Sequence, residues 1–208
     1  MKKQRLRHKV LVVFIRPYRK NDIEQIIAVY KSAFAEPPWD EFKKCSACEV
    51  EYGIKESERA GNACKKCDSP LELVDFWSSE EIIQDLEFAL SQPNQLVLVA
   101  ENSNGIAGFT WGYRLPFEKF PFLEGKINPS TLYIDEIAVR GDKRLRGVGT
   151  RLGQAFLESA KAQSLEEATL RTDERNPASI ALFRKLGFRE MRIYDPEFPS
   201  RVYMRVIV

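Results

Sequence analysis

The sequence predicts an α/β domain with a mixed sheet, and three observations support this fold class. Short apolar runs typical of strands alternate with stretches in which apolar residues recur at helical spacing. Clusters of glycine, proline and asparagine separate these segments. Their order is a strand, two helices, three successive strands, a helix, a strand, a helix and a closing strand. A chain of 208 residues has room for one such domain with a small insertion.

The first part of the chain supplies one strand and two helices. The apolar run 10–15 predicts the strand. Residues 22–34, DIEQIIAVYKSAF, have helical periodicity, with Asn21 or Asp22 as the N-terminal cap and a proline pair that ends the helix. Residues 78–90, SSEEIIQDLEFAL, predict a second helix with a serine cap and glutamates in its first turn.

The middle of the chain predicts a three-strand meander. Residues 94–115 indicate a hairpin that turns at the NSNG tetrapeptide. An irregular loop, 114–130, follows and carries Phe117, Phe120 and Phe122. Together with Trp39 they are candidates to line an acceptor pocket, with lid or core packing as the alternative. The run 131–139, TLYIDEIAV, predicts the third strand.

The last part predicts helix, strand, helix and strand. A helix extends to about Gln163, and residues 167–173, EATLRTD, follow as a strand. The next helix, in NPASIALFRKLGF, has Asn176 at its cap, proline at its first position and an end at Gly187. Residues 201–208, RVYMRVIV, close the chain as a strand.

The charge balance excludes some function classes. Lysine and arginine total 32 against 30 acidic residues, so the basic excess typical of a general nucleic-acid binder is absent. The apolar run after the basic N-terminus is too short, and too close to further basic residues, for a signal peptide. No apolar stretch approaches the roughly 20 residues that a membrane span requires. We therefore expect a soluble, cytoplasmic protein.

A glycine turn with positive charge follows the strand 131–139. In RLRGVGTRL, Arg144, Gly147 and Gly149 form R-x-x-G-x-G at a strand-to-helix junction. Glycines let backbone N–H groups converge on an anion, and the helix N-terminus adds partial positive charge, so the turn suits a phosphate. The sequence lacks the lysine and serine or threonine of a P-loop, and Leu152 stands where a dinucleotide fingerprint needs a third glycine.

Combined with the downstream pattern N-x-x-x-x-A-L-F-x-x-x-G-F, this turn resembles the GNAT superfamily of N-acetyltransferases. The resemblance covers nearly the whole chain except residues 43–72 and implies a mainly antiparallel sheet flanked by helices. It implies acetyl-CoA as co-substrate, with the pyrophosphate on the glycine turn and the pantetheine arm along the backbone of the preceding strand, whose edge is free because the next strand diverges. The residues that the resemblance assigns to acetyl-CoA are Ile137, Ala138, Val139, Arg144, Arg146, Gly147, Val148, Gly149, Thr150, Asn176 and Phe183, with charge also from Arg151.

Two carboxylates in the strand 131–139 are candidates for the general base that amine acetylation needs. Strict alternation puts Tyr133, Asp135, Ile137 and Val139 on one face, which favours Asp135 as the base. A bulge, frequent in this strand among the enzymes that the chain resembles, would exchange the faces and favour Glu136. Burial would raise either pKa, and a salt bridge to a neighbouring arginine or lysine is the alternative role for each.

Phe183 departs from the pattern, because many GNAT enzymes have a tyrosine there that acts as general acid toward the coenzyme A thiolate. Phenylalanine has no proton to give. Tyr133 or Tyr194 is then the candidate donor, unless the thiolate leaves unaided, which its acidity permits. A third alternative is a protein that binds acetyl-CoA without turning it over.

All four cysteines lie in one short segment, as two C-x₂-C pairs separated by fifteen residues. This spacing predicts a closed Cys₄ zinc site with a structural role, iron being the alternative metal. The predicted ligands are Cys45, Cys48, Cys64 and Cys67. Residues 43–72 then form a zinc ribbon inserted in a GNAT domain of residues 1–208, the second departure from the pattern.

The sequence therefore predicts an N-acetyltransferase that acts on the primary amine of an unidentified acceptor, either a small molecule or a protein. The alternative is a non-catalytic acetyl-CoA-binding protein whose zinc ribbon engages a protein or nucleic-acid partner. We also expect that the closing strand allows a homodimer by pairing across two copies.

Overall fold

The structure is a computed structural model that describes residues 12–34, 42–53, 59, 61–74, 78–141 and 147–208. The strands are β1 (Phe14–Pro17), β2 (Phe42–Cys45), β3 (Glu51–Gly53), β4 (Leu71–Val74), β5 (Leu96–Asn102), β6 (Gly105–Arg114), β7 (Leu132–Val139), β8 (Glu167–Asp173), β9 (Arg189–Glu190) and β10 (Arg201–Ile207). The helices are α1 (Ile23–Phe34), α2 (Ser79–Ser91), α3 (Val148–Ala162) and α4 (Pro177–Lys185), with 3₁₀ turns at Lys20–Asp22 and Pro121–Leu123.

Seven strands form a mixed sheet in the order β1-β5-β6-β7-β8-β10-β9, which confirms the predicted fold class. All neighbours are antiparallel except β7 and β8, which are parallel. Strand β9, which the sequence did not indicate, pairs with β10 at Met204 and Arg205. Because β9 lies along the outer edge of β10, a second copy could pair with the whole of β10 only by displacing β9.

Helices cover both faces of the sheet. On one face, α1 and α2 pack through Ile26, Tyr30, Ile82 and Leu86 onto an aromatic core that includes Trp111. On the other face, α3 and α4 pack onto a second core around residues such as Leu152, Phe156 and Phe183. A side chain of a strand that lies between these helical layers is covered by helices whichever face of the sheet it is on. A polar side chain there therefore needs a hydrogen-bonding partner or a function.

The helix boundaries follow from local chemistry. Ser78 is the predicted serine cap of α2 and forms a capping box with Glu81, and the Asn176 side chain accepts a hydrogen bond from the Ser179 N–H at the start of α4. At α1 the prediction was inaccurate, because Asp22 closes the preceding 3₁₀ turn and is ion-paired with Arg16 at 2.7 Å. The helix itself begins at Ile23.

Strands β2, β3 and β4 form a separate small antiparallel sheet in the order β3-β2-β4. Among the residues of this region whose burial the structure describes, Cys45, Tyr52, Cys64 and Leu71 are buried, and they form a cluster distinct from the two main cores. A core of this size does not stabilise a fold by itself, so the small sheet needs another source of stability.

Candidate active site and metal centre

The parallel strands β7 and β8 separate partway along their length. They pair only between Leu132–Ile134 and Ala168–Leu170, and beyond these residues a cleft of about 140 Å³ opens between them. The cleft is lined by Phe34, Ile134, Asp135, Glu136, Ile137, Leu170, Arg171, Thr172, Asn176, Ser179, Phe183 and Arg201. Because its lining includes residues from both faces of the sheet, the cleft passes between the two helical layers.

A β-bulge at Asp135 determines which side chains face which layer. Trp111 pairs with Glu136, but the next residue, Gly112, pairs with Ile134, so Asp135 is the extra residue of β7. A Cβ atom at Gly112 would lie 2.2 Å from the carbonyl oxygen of Tyr133, so only glycine fits opposite the bulge.

The bulge interrupts the strict alternation that was predicted for β7, so that prediction was wrong about the faces. Ile137 and Val139 pack with the core beneath α3 and α4, whereas Tyr133 packs with the aromatic core on the α1 side. Asp135 and Glu136 both point to the α1 side, since Trp111 and Tyr30 of that core hydrogen-bond to them. Two consecutive carboxylates therefore share one face, and Ile137 does not share it with Asp135.

Both carboxylates have raised pKa values. Burial is the main cause at Glu136, reinforced by the charges of Asp135 and Asp85, and it raises the pKa of Glu136 well above the ordinary value. Burial also raises the pKa of Asp135, but hydrogen bonds from Tyr113 and Trp111 stabilise its charged form and oppose the shift. The neighbouring carboxyls thus have different environments, and Glu136 is the one more easily protonated.

Hydrogen bonds fix the position of each carboxylate. The Tyr30 hydroxyl donates to Glu136 Oε1 at 3.3 Å, and the Trp111 indole N–H donates to Asp135 Oδ2 at 3.3 Å. Thr110 donates its hydroxyl to the Glu136 carbonyl oxygen at 2.8 Å and anchors the bulge from the neighbouring strand. These contacts come from α1 and β6, so both elements hold the acidic wall of the cleft.

The opposite wall on the same face carries two arginines, Arg171 of β8 and Arg201 of β10. The guanidinium of Arg171 lies 5.3 Å from the centre of the Phe120 ring. Beside it, the Tyr203 hydroxyl donates to Asp195 Oδ2 at 2.8 Å. The sequence did not indicate either arginine; the available signal for Arg171 was a charged residue in the interior of a predicted strand.

On the α4 side the cleft is lined by apolar and uncharged polar residues. Phe183 is buried there, against Phe188. One turn earlier in α4, Ser179 accepts a hydrogen bond from the Thr172 hydroxyl at 2.9 Å. The predicted residues Ile137, Asn176 and Phe183 thus lie together in this half of the cleft. Tyr133 is buried on the other face and does not line it, and Tyr194 is 68% exposed.

The glycine turn precedes α3 as predicted, although Arg144 and Arg146 lie outside the described residues. Gly147 is the N-cap of α3 with φ +87°, a left-handed conformation that costs a side-chain-bearing residue roughly 1–2 kcal/mol. Gly149 has a different role, because a Cβ atom there would approach Leu182 to 3.3 Å. The first glycine therefore permits the turn, and the second permits close packing of α3 on α4.

The four cysteines come together as predicted. The sulfur atoms of the four residues lie within 4.8 Å of one another; the residues are Cys45, Cys48, Cys64 and Cys67. The pairs Cys45–Cys67 and Cys48–Cys64 have Sγ–Sγ distances of 3.4 and 3.6 Å. Four sulfur ligands at these separations fit a closed tetrahedral site with Zn–S distances of about 2.3 Å.

Hydrogen bonds hold the sulfur atoms in place, and at Cys64 they favour the thiolate form. The Cys48 N–H donates to Cys45 Sγ and the Lys66 N–H to Cys64 Sγ, both at 3.4 Å. The Tyr52 oxygen accepts the Lys65 N–H, and its hydroxyl lies 3.2 Å from Cys64 Sγ. The hydrogen bond from Tyr52 is the largest cause that lowers the pKa of the Cys64 thiol to about 6. Thiolates are the form in which cysteine binds metals.

The chain matches the model of a protein family described as the acetyltransferase (GNAT) family over residues 64–188. It is 37% identical over 94 residues to an L-methionine sulfoximine/L-methionine sulfone acetyltransferase of Pseudomonas aeruginosa, a match that covers 44% of this chain and 49% of the relative. The chain thus spans about half the length of the curated relatives it matches.

Two solved structures share the fold. A PaiA N-acetyltransferase of Thermoplasma acidophilum in complex with coenzyme A superposes with a TM-score of 0.60 at 14% identity, covering 95% of this chain and 99% of that one. A ribosomal-protein-alanine N-acetyltransferase of Brucella melitensis gives 0.59 at 20% identity, with coverages of 94% and 99%. Among the described helices, none combines the length and apolarity needed to cross a bilayer.

Proposed function

The chain belongs to the acetyltransferase (GNAT) family, and we propose that it transfers the acetyl group of acetyl-CoA to the primary amine of an acceptor bound in the cleft between β7 and β8. The observation that carries this proposal is the two-sided lining of the cleft. Its α4 side is apolar or uncharged, as suits a thioester. Its α1 side holds two carboxylates on the β7 wall, which suit an ammonium group, and two arginines on the opposite wall.

We assign acetyl-CoA to the α4 side of the cleft and to the glycine turn. Beyond Ile134, the β8-facing edge of β7 has no strand partner among the described residues, so the backbone of Ile137–Val139 is free to hydrogen-bond a pantetheine arm. The N-terminus of α3 supplies unpaired N–H groups for the pyrophosphate. The proposed contact residues are those given by the resemblance: Ile137, Ala138, Val139, Arg144, Arg146, Gly147, Val148, Gly149, Thr150, Asn176 and Phe183.

Glu136 is the proposed general base. An amine attacks only when neutral, so its ammonium proton must leave, and a carboxylate with a raised pKa is a better acceptor than an ordinary one. Asp135, whose charged form is stabilised by hydrogen bonds from Trp111 and Tyr113, is the proposed group that attracts the ammonium group. Once Glu136 holds the ammonium proton, the neutral nitrogen forms its bond to the carbonyl carbon, the carbon–sulfur bond breaks and its electron pair leaves with the sulfur. The second proton that the nitrogen loses then neutralises the departing thiolate.

Ser179 is the proposed hydrogen-bond donor to the departing thiolate, in the place of the tyrosine that Phe183 replaces. Because its oxygen accepts from Thr172, its own hydroxyl proton is available to a group in the cleft. Tyr133 is a weaker candidate than the sequence suggested. Burial is the main reason that its pKa is raised, and it does not reach the cleft lining.

Replacement of Ser179 by alanine is expected to lower kcat about tenfold, the effect of one lost hydrogen bond to a charged group. Acetyl-CoA affinity should change little, because a contact made mainly to the leaving thiolate acts in the transition state. The measurement is steady-state kinetics of both variants Ser179→Ala and Ser179→Ala/Phe183→Tyr. Recovery of kcat in the double variant supports the assignment; an unchanged kcat in Ser179→Ala contradicts it.

We also propose that the cysteine cluster binds one structural Zn²⁺. Four thiolates complete a tetrahedral shell and leave no position open for water, so the metal has no catalytic role. Its contribution is to stabilise the small sheet of β2, β3 and β4, whose own core is too small to do so.

A non-catalytic acetyl-CoA-binding protein is the second candidate function, and Phe183 is the observation that favours it. The deciding experiment incubates zinc-replete protein with acetyl-CoA and a panel of amino acids, polyamines, aminoglycosides and peptide N-termini. Mass spectrometry is the suitable readout, because thiol reagents would react with the four cysteines. A product whose mass has increased by one acetyl group supports the enzyme; acetyl-CoA binding without any product supports the binding protein.

A further inference from the structure

We propose that Arg171 is a positioning residue of the acetyl transfer, because its guanidinium group is the fixed counter-charge of Asp135 and Glu136 on the facing wall of the cleft. This inference rests on the proposed function, since the two carboxylates are the proposed ammonium site and the proposed base. It goes further by giving a role to an arginine that the proposed mechanism does not use. Arg171 acts through the carboxylates and takes no direct part in the transfer.

Arg171 and Asp135 flank the point where β7 and β8 separate. The last paired residues of the two parallel strands are Ile134 and Leu170. Asp135 and Arg171 come next along the strands, and both line the cleft that opens there. Arg171 also pairs with Tyr203, which packs in the aromatic core on the α1 side. Directly paired residues of neighbouring strands point to the same face, so the side chain of Arg171 lies on the face that carries both carboxylates.

Side-chain contacts hold the guanidinium group of Arg171 in place. The centre of the Phe120 ring lies 5.3 Å from it, within the range of a cation–π interaction. The Tyr203 side chain hydrogen-bonds with Arg171 and donates its hydroxyl to Asp195 Oδ2 at 2.8 Å. Asp195 is itself fixed, because its other oxygen accepts two backbone N–H groups at 3.0 and 3.1 Å. The positive charge therefore has a defined position opposite the carboxylates.

The charge of Arg171 acts on both carboxylates in the same direction. Burial is the main cause that raises the pKa of Asp135; hydrogen bonds from two side chains of β6 oppose this rise, followed by the charges of Arg171 and Lys119. At Glu136, burial again is the main cause of the raised pKa, and the charge of Arg171 again opposes the rise. Arg171 thus favours the ionised form of both groups, which is the form that attracts an ammonium group and accepts its proton.

Other titratable groups around the two carboxylates do not supply a positive charge. Asp85 of α2 is an acid, and its charge raises the pKa of Glu136. Three tyrosines lie near the carboxylates, and burial above all raises the pKa of each above its ordinary value. They are Tyr30 of α1, Tyr113 of β6 and Tyr133 of β7, and all three are neutral at physiological pH.

Two further cations that the structure describes near the cleft are less suited to this role. Lys119 is exposed in the loop 114–130, where its ammonium group lies over the Phe88 ring and water screens its charge. Arg201 belongs to β10, which is separated from β7 by β8. Burial first, and then the charge of Arg171, lower the pKa of Arg201. We therefore assign the counter-charge to Arg171.

The test measures the pH dependence of kcat/KM with acetyl-CoA and the best acceptor of the amine panel. In Arg171→Gln, the fall of kcat/KM at low pH should move upward by roughly half a pH unit or more, because the opposite charge that lowers both carboxyl pKa values is gone. Arg171→Lys keeps the charge and should retain most of the parent profile. Arg189→Gln, a change at an exposed arginine of β9, is the matched control and should leave the fall where it is.

Asp195→Asn should give a shift of the opposite sign. Asparagine keeps the shape and an acceptor oxygen but removes the negative charge that partly offsets Arg171, so the fall should move to lower pH. A network that only stabilises the fold would lower kcat/KM in both variants without moving the fall. An unmoved fall in Arg171→Gln overturns the proposal and leaves the acetyltransferase function intact. If Arg171→Gln does not fold, an unmoved fall in Asp195→Asn overturns it.

A titration without substrate separates failure of this inference from failure of the proposed function. Carbon NMR of the carboxyl groups of Asp135 and Glu136 should give higher pKa values in Arg171→Gln than in the parent protein. Equal pKa values overturn the proposal whatever the activity. Higher values in a protein that acetylates nothing in the panel would keep the counter-charge, but they would overturn the proposed function and the positioning role with it.

Discussion

Replacing Glu136 by glutamine is expected to lower kcat by about 10²-fold or more, the usual contribution of a general base. Glutamine keeps the shape of the side chain and its contact with Tyr30, but it cannot accept the ammonium proton. Acetyl-CoA binds on the other side of the cleft in our assignment, so its Kd should stay within about twofold. Steady-state kinetics and calorimetric titration of acetyl-CoA measure the two quantities separately.

The pH dependence of kcat/KM is an independent test of Glu136 as the general base. Only the ionised carboxylate accepts a proton, so kcat/KM of the parent protein should fall as the pH drops through the pKa of Glu136. Because burial and the charge of Asp135 raise that pKa, the fall should begin above the ordinary value of 4.5. This fall in kcat/KM at low pH should be absent in Glu136→Gln. It should be unchanged in Glu118→Gln, a control at an exposed position in the loop 114–130. Full activity in both Glu136→Gln and Asp135→Asn would show that neither carboxylate is the base.

Replacing the buried Cys64 by serine is expected to reduce bound zinc from one ion per chain to a small fraction of that, as measured by elemental mass spectrometry of the purified protein. Metal binding in small Cys-rich modules provides roughly 10–16 kcal/mol of folding free energy, far more than is supplied by the buried cluster that the described residues form around Cys45 and Tyr52. The small sheet should therefore unfold in the variant and become sensitive to proteolysis.

The two main cores do not include the cysteine cluster, so the acetyl-CoA affinity of Cys64→Ser should remain close to that of the parent protein. Ser46→Ala, a change in the adjacent C-x₂-C turn, is the matched control and should keep its zinc. If the protein contains iron in place of zinc, the identity of the metal would change but the assignment of the site would stand. Unchanged metal content in Cys64→Ser would contradict the assignment of Cys64 as a ligand.

The order of elements, the mixed sheet and the cysteine cluster could be predicted from the sequence because each depends on local chemistry. Apolar periodicity marks α2 and the strands β5 to β8, and the caps at Ser78 and Asn176 behave as their residue types predict. The C-x₂-C spacing likewise brings four sulfur atoms within 4.8 Å of one another.

Which side chains of β7 lie on which face of the sheet could not be predicted in the same way. A strand alternates strictly until a bulge inserts one residue, and the insertion at Asp135 depends on the partner strand, where Gly112 leaves room for the Tyr133 carbonyl. A glycine inside the apolar run of β6 was the only local hint. The position of the two arginines in the cleft could not be predicted for a related reason. Arg171 and Arg201 lie thirty positions apart in the sequence and come together only through the pairing of β8 with β10.

The most direct test of the account is a crystal structure of the protein with coenzyme A. We expect the pantetheine arm to lie along the unpaired edge of β7 between Ile137 and Val139, with its sulfur atom between the Glu136 carboxylate and the Ser179 hydroxyl. That result would place the thioester where both proposed catalytic groups can act on it. Coenzyme A bound elsewhere, with the cleft between β7 and β8 empty, would contradict the proposed site and the mechanism built on it.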